Sequence, residues 1–127
     1  MRSILALVLA AVASLMTAHA AEAKNITIEE AAKLIKSDTN IVVLDVRTPK
    51  EFEAGHIKGA TNINFQDKDF ADRIAKLDKS KTYVVHCAAG GRSAKACEQI
   101  KTTELKHVLH MNQGFNKWKE AGQPIEK

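Results

Sequence analysis

The sequence predicts an α/β domain with a mostly parallel central sheet and helices on both faces. Three observations lead there. Asn40 to Val46 is a nearly unbroken β-branched run, as in a strand buried on both faces, and Lys81 to Cys87 is a further strong strand. Helix-patterned segments with start and stop signals lie between such runs. Strand and helix then alternate along the chain, which implies βαβ crossovers onto one sheet.

The order begins with a segment set apart from this pattern. Met1-Arg2-Ser3 is a short basic start, Ile4 to Met16 is apolar and uncharged, and Ala18-His19-Ala20 has the small-x-small form of a cleavage site. Residues 1–20 therefore read as a secretory signal peptide, with residues 21–127 as one mature domain. The apolar run falls short of the roughly 20 residues that span a bilayer. An uncleaved anchor is the alternative. Cleavage would leave no stable membrane insertion and would place the protein in the periplasm or outside the cell.

In "NITIEEAAKLIK", Thr27 and Glu30 form a capping-box pattern, and Ile28, Ala31, Ala32 and Ile35 share a helical face. The strand over Asn40 to Val46 follows. Thr48, Pro49 and Glu51 open a second capped helix that Gly55 stops. "GATNINF" reads as a short strand, "KDFADRIAKL" as a helix and "KTYVVHC" as a strong strand. "RSAKACEQIKTTEL" is a helix with Ser93, Ala96, Cys97 and Ile100 inward; "KHVLHM" is a strand. "GFNKWKEAG" is a last helix, ended by Gly122 and Pro124.

The formal charge is +4, and the one charged side chain in residues 1–20 is Arg2. The lysines are scattered among acids, with no basic block interleaved with aromatics, so nucleic acid is not an expected partner. The mild positive balance favours small anions. One compact domain suggests a monomer. His107 and His110 lie three apart on an expected strand and face opposite sides, and no paired metal-site spacing occurs. No metal or other cofactor is expected.

Cys87 closes the strand "KTYVVHC", at the carboxyl edge where ligands bind in open parallel sheets. A thiolate is the reactive form of cysteine. It is favoured by a helix N-terminus and by inward-facing backbone amides. Ala88, Ala89, Gly90 and Gly91 are small enough to curl into such a nest, and Arg92 adds a fixed positive charge. Cys97 lies two turns into the next helix. The rise from Arg92 to Cys97 alone is roughly 7 Å, so a disulfide with Cys87 is not expected, and Cys97 reads as core.

"CAAGGRSAKA" resembles the active-site loop of rhodanese-type sulfurtransferases, Cys-x-x-Gly-x-Arg-Ser. "LDVRTPKEFEAGHIKGATNI" and "NQGFNKWKEAGQPI" resemble two flanking motifs of that family, with Gln113 at the usual first glycine. With the N-terminal segment, the chain is similar to small single-domain periplasmic rhodaneses. The resemblance implies a rhodanese-like α/β fold and a Cys87 nucleophile that carries sulfane sulfur as a persulfide. The donor would be a small sulfur-containing anion such as thiosulfate, and the acceptor a thiol or cyanide. Ala88, Ala89, Gly90, Gly91 and Arg92 would bind substrate; Asp45, Arg47 and Ser93 would support the loop. Glu51 and His56 also invite a catalytic reading, but their family counterparts look structural. Alternatives are a persulfide carrier for a partner protein, a non-catalytic binding module, and a phosphatase or arsenate reductase. Dual-specificity-like phosphatases place five residues between cysteine and arginine; this loop has four.

Overall fold

The computed structural model describes residues 22–127. The basic start, apolar run and cleavage pattern of residues 1–20 lie outside the described residues.

Five strands form a parallel sheet in the order β1-β6-β5-β2-β4. They are β1 (Lys24–Asn25), β2 (Ile41–Asp45), β4 (Thr61–Asn62), β5 (Thr82–His86) and β6 (Val108–His110). β3 (His56–Ile57) and β7 (Ile125–Glu126) pair antiparallel in a separate ribbon. The helices are α1 (Ile28–Ser37), α2 (Pro49–Ala54), α3 (Phe70–Ala75), α4 (Gly91–Ile100) and α5 (Gly114–Glu120).

The two-residue side-chain period of the central strands divides the core. Leu44, Tyr83 and Val85 pack with Phe70 and Ile74 of α3 and Ala96 and Ile100 of α4. Val43 and Val84 face the other way, onto Ile28 and Ala31 of α1 and Phe115 and Trp118 of α5. Helices thus cover both faces, and β2 and β5 are buried between them, which is why their sequences lack polar alternation.

Both capping boxes form. Thr27 and Glu30 bond each other's backbone N–H at 3.1 Å, and Thr48 accepts from the Glu51 amide at 3.2 Å. Several elements are shorter than the sequence pattern predicts, among them α3 at Phe70–Ala75 and β6 at Val108–His110. α4 ends at Ile100 rather than continuing through "KTTEL", because Thr102 and Thr103 hydroxyls donate to the Gln99 and Ile100 carbonyls at 2.7 and 2.6 Å. That back-bonding competes with helix propagation. The strand expected over "GATNINF" pairs only at Thr61 and Asn62.

Candidate active site

The site lies just past the carboxyl end of β5, between β2 and β6. Cys87 follows the last β5 residue and is buried, at 1% exposure. The chain then turns through Ala88, Ala89 and Gly90 into α4. Gly90 has φ +102, and a Cβ there would sit 2.4 Å from the Asn112 carbonyl oxygen. Only glycine allows this turn together with this approach.

The loop is held from below by α5. Phe115 N–H donates to the Cys87 carbonyl at 2.8 Å, and Asn116 N–H to the Ala88 carbonyl at 3.1 Å. Gly114, with φ +79, makes the contact possible: a Cβ there would lie 2.4 Å from Ala88 O and 2.8 Å from Ala89 N. The "QGF" motif in the sequence therefore docks α5 against the loop.

The Cys87 Sγ accepts from Gly90 N–H at 3.1 Å and contacts the Ser93 hydroxyl at 3.3 Å. Burial pushes the thiol's pKa up. Bonds from the Ser93 side chain and from the Ser93, Ala89 and Gly90 backbone outweigh it, and the net pKa lies below the ordinary value. The N-terminus of α4 adds its partial positive charge. Cys97 differs: burial, then the nearby Glu98 and Cys87 charges, pushes its thiol up to about 12. Both cysteines are free.

Arg92 does not face the sulfur with an open guanidinium. It grips Glu51 of α2 through two bonds of 2.6 and 3.0 Å. The Arg92 bond holds Glu51 at about 2 against the upward push of burial, with Thr48 bonds helping. Asp45 and Arg47 form a buried pair, Arg47 Nη2 to Asp45 Oδ2 at 2.7 Å. Arg47 also donates to the Gly55 carbonyl at 2.8 Å and lies 4.2 Å over the Phe115 ring. Asp45 and Arg47 thereby tie β2, the α2 terminus and α5 together beneath the site.

His86 is buried on the face opposite Cys87, its Nδ1 bonded to the Cys87 carbonyl at 3.0 Å. Its Nε2 lacks a hydrogen-bond partner among the described residues. Burial lowers its pKa, although Asp45 pulls the other way. His56 stacks on Phe52 and bonds its carbonyl at 2.8 Å, a structural arrangement.

Sequence reasoning missed two features. His110 and Asn25 extend the Ser93 contact: Ser93 Oγ lies 2.7 Å from His110 Nε2, and His110 Nδ1 lies 3.1 Å from Asn25 Oδ1. Asn25 belongs to β1, a two-residue strand too short to read as a pattern. The second is a cavity of about 810 Å³ beside Ala89, lined also by Asn116, Lys117, Lys119 and Glu120 of α5. Its charged groups come from a helix more than twenty residues downstream of the neutral loop, and Lys117 is paired with Glu120 at 3.1 Å. Among the described residues, no group of three or more His, Cys, Asp or Glu could hold a metal ion.

Fold and site together define a parallel α/β domain with a cradled cysteine sulfur at the strand edge. The rhodanese-like domain family matches residues 27–121, and the chain belongs to that family. The chain is 32% identical over 107 residues to the probable adenylyltransferase/sulfurtransferase MoeZ of Mycobacterium tuberculosis, covering 84% of this chain and 27% of that protein. It is 32% identical over 93 residues to thiosulfate sulfurtransferase 16, chloroplastic, of Arabidopsis thaliana, covering 65% and 78%. Arsenate reductase 2.1 of Oryza sativa subsp. japonica is 27% identical over 119 residues, covering 81% and 73%. Among solved structures, a rhodanese-related protein from Thermoplasma volcanium superposes with TM-score 0.72 at 31% identity, covering 81% of this chain and 97% of that one. The chain spans about a quarter of the length of MoeZ, so the activity of that whole protein does not transfer to it.

Proposed function

We propose that the protein is a thiosulfate sulfurtransferase type enzyme that moves sulfane sulfur through a persulfide on Cys87. The observation that carries this reading is the sulfur's setting: a buried Sγ bonded by the Gly90 amide and Ser93, at the start of α4, with its pKa drawn below the ordinary value.

Cys87 thiolate attacks the outer sulfur of thiosulfate. A new S–S bond forms, the bond to the sulfonate sulfur breaks, and sulfite leaves with the electron pair. The terminal persulfide sulfur is then anionic, and the loop amides that hold the thiolate are placed to hold it too. A thiolate or cyanide attacks that outer sulfur, takes it, and returns Cys87 as thiolate. This is two-step covalent catalysis. Beside Ala89, Lys117 is paired with Glu120 at 3.1 Å, and Lys119 leaves the adjacent cavity one net positive charge that favours an anionic donor.

Phosphoryl or arsenate chemistry fits this loop less well. A tetrahedral oxyanion needs a guanidinium turned into the loop, and Arg92 is committed to Glu51. The reading further includes export, with cleavage before Ala21 and a monomeric domain in the periplasm or outside the cell. No helix among the described residues is long and apolar enough to cross a membrane. Intact mass after thiosulfate treatment tests the proposal: wild type should gain one sulfur and Cys87→Ser none. Wild type without the added sulfur, or a mutant that keeps it, defeats it.

A further inference from the structure

The Ser93 hydroxyl has one hydrogen and three acceptors within reach: His110 Nε2 at 2.7 Å, Gly90 O at 3.2 Å and Cys87 Sγ at 3.3 Å. Asn25 Oδ1, 3.1 Å from His110 Nδ1, is an acceptor and calls for a hydrogen on Nδ1. In neutral His110 the other nitrogen, Nε2, then carries a lone pair. The hydroxyl hydrogen goes to that closest partner, and Ser93 presents a lone pair to the sulfur. Cys87 can satisfy that lone pair only as a thiol. With Asn25 Oδ1 toward Nδ1, Ser93 can donate to a thiolate only when Nε2 bears a hydrogen of its own, that is, when His110 is an imidazolium.

We infer that Asn25, His110 and Ser93 form a proton relay in which His110 receives the Cys87 thiol proton through the Ser93 hydroxyl. The sulfur gives its proton to Ser93 Oγ as the Ser93 proton passes to His110 Nε2. No proton is gained or lost, and no bond of the chain is left unmade. Before transfer the order is S–H to O–H to N. Afterwards it is N–H to O, O–H to S⁻, with Nδ1–H still on Asn25. His110 acts through Ser93 and does not touch the sulfur, so it is a positioning residue.

The surroundings leave His110 as the acceptor. The titratable groups near it are Cys87 and His86 at the end of β5, Cys97 and Glu98 on α4, Lys101 just after it, and Glu22 ahead of β1. Asn25, Cys97, Glu98, Lys101 and Glu22 share with it a cavity of about 440 Å³. Cys97 stays protonated, and Lys101 lies 3.0 Å from Glu22 and 3.7 Å from Glu98. His86 sits on the other face of the sheet from Ser93. Burial, and then His86, lowers the His110 pKa, so His110 is neutral until the thiol proton arrives.

The inference rests on Cys87 as the nucleophile, and its test follows the proton rather than sulfur transfer. Iodoacetamide alkylation of Cys87 is followed against pH, each protein scaled to its own high-pH plateau. His110→Gln should raise the midpoint; a rise of one unit slows alkylation about tenfold on the acid side. Asn25→Asp, whose carboxylate favours imidazolium, should lower it. Nitrogen NMR of ¹⁵N-histidine protein gives the second readout. His110 should carry two protons at a pH where Cys87 is thiolate and be neutral at the same pH in Cys87→Ala. Should His110→Gln not fold, Asn25→Asp and the spectra decide. A neutral His110 beside a thiolate, or midpoints that stay put or move the same way, overturns the relay. Persulfide formation can survive that result, and a protein that forms no persulfide can still show the relay.

Discussion

Replacing Gly114 by alanine tests how α5 sets the loop. The residue has φ +79, and the added Cβ would meet Ala88 O at 2.4 Å, Ala88 C at 2.6 Å and Ala89 N at 2.8 Å. All three are backbone atoms, so no side chain can swing away. Left-handed backbone on a non-glycine residue costs about 1–2 kcal/mol, and overpacking a tight contact adds about 1–3 kcal/mol. The expected loss is therefore about 2–5 kcal/mol, a large part of the ~5–15 kcal/mol that holds a domain together. Gly122→Ala is the matched control: its φ is +72, but nothing lies within 4 Å of the new Cβ. It should lose only the backbone part. Urea unfolding reads both variants, and with a slope of about 1–3 kcal/mol per molar the Gly114 midpoint should fall clearly further. Because the clash pushes on Ala88 and Ala89, Gly114→Ala should also slow Cys87 alkylation in the folded protein, whereas Gly122→Ala should not. Equal stability losses with undisturbed Cys87 reactivity would refute the close-approach reasoning.

Three further outcomes are expected. Asp45→Ala strands the buried Arg47 guanidinium and should cost about 3–5 kcal/mol in urea unfolding; a loss within the range of an exposed pair would contradict that role. Acid should weaken the fold through His86, whose folded pKa lies below the ordinary histidine value. The unfolded chain binds that proton first, so the stability is whole above about pH 6.5 and declines as pH falls toward the folded value. The melting temperature should drop from about pH 7 to about pH 5, and a rise would contradict it. Cys97→Ala should keep single-thiol alkylation and sulfur transfer at neutral pH, since the Cys97 thiol titrates at about 12. Losing the fast-reacting thiol in that variant would make Cys97 part of the site.

Much of the architecture could be read from local chemistry. The run "IVVLD" reads as a doubly buried strand and "TYVVH" as a strong strand, and the Thr27 and Thr48 capping boxes marked two helix starts to the residue. The Gly-Gly turn after Cys87 pointed to a cradle made of backbone, because so little side chain surrounds the sulfur. What escaped the sequence depends on contacts across long separations. β1 and β7 are two residues each and exist through pairing with β6 and β3. The partner of Arg92 is 41 positions away, so its charge reads as free in sequence and is bound in the fold. His110 and Asn25 are 85 positions apart, and no spacing rule connects them.

The most direct measurement of the cradle is the ultraviolet absorbance of thiolate against pH, in Cys97→Ala so that one sulfur reports. Main-chain amides and the α4 N-terminus should bring the Cys87 midpoint clearly below the ~8.5 of an unperturbed cysteine. A midpoint at or above that value would mean that burial wins over the amides, and would remove the physical basis for a persulfide-forming Cys87.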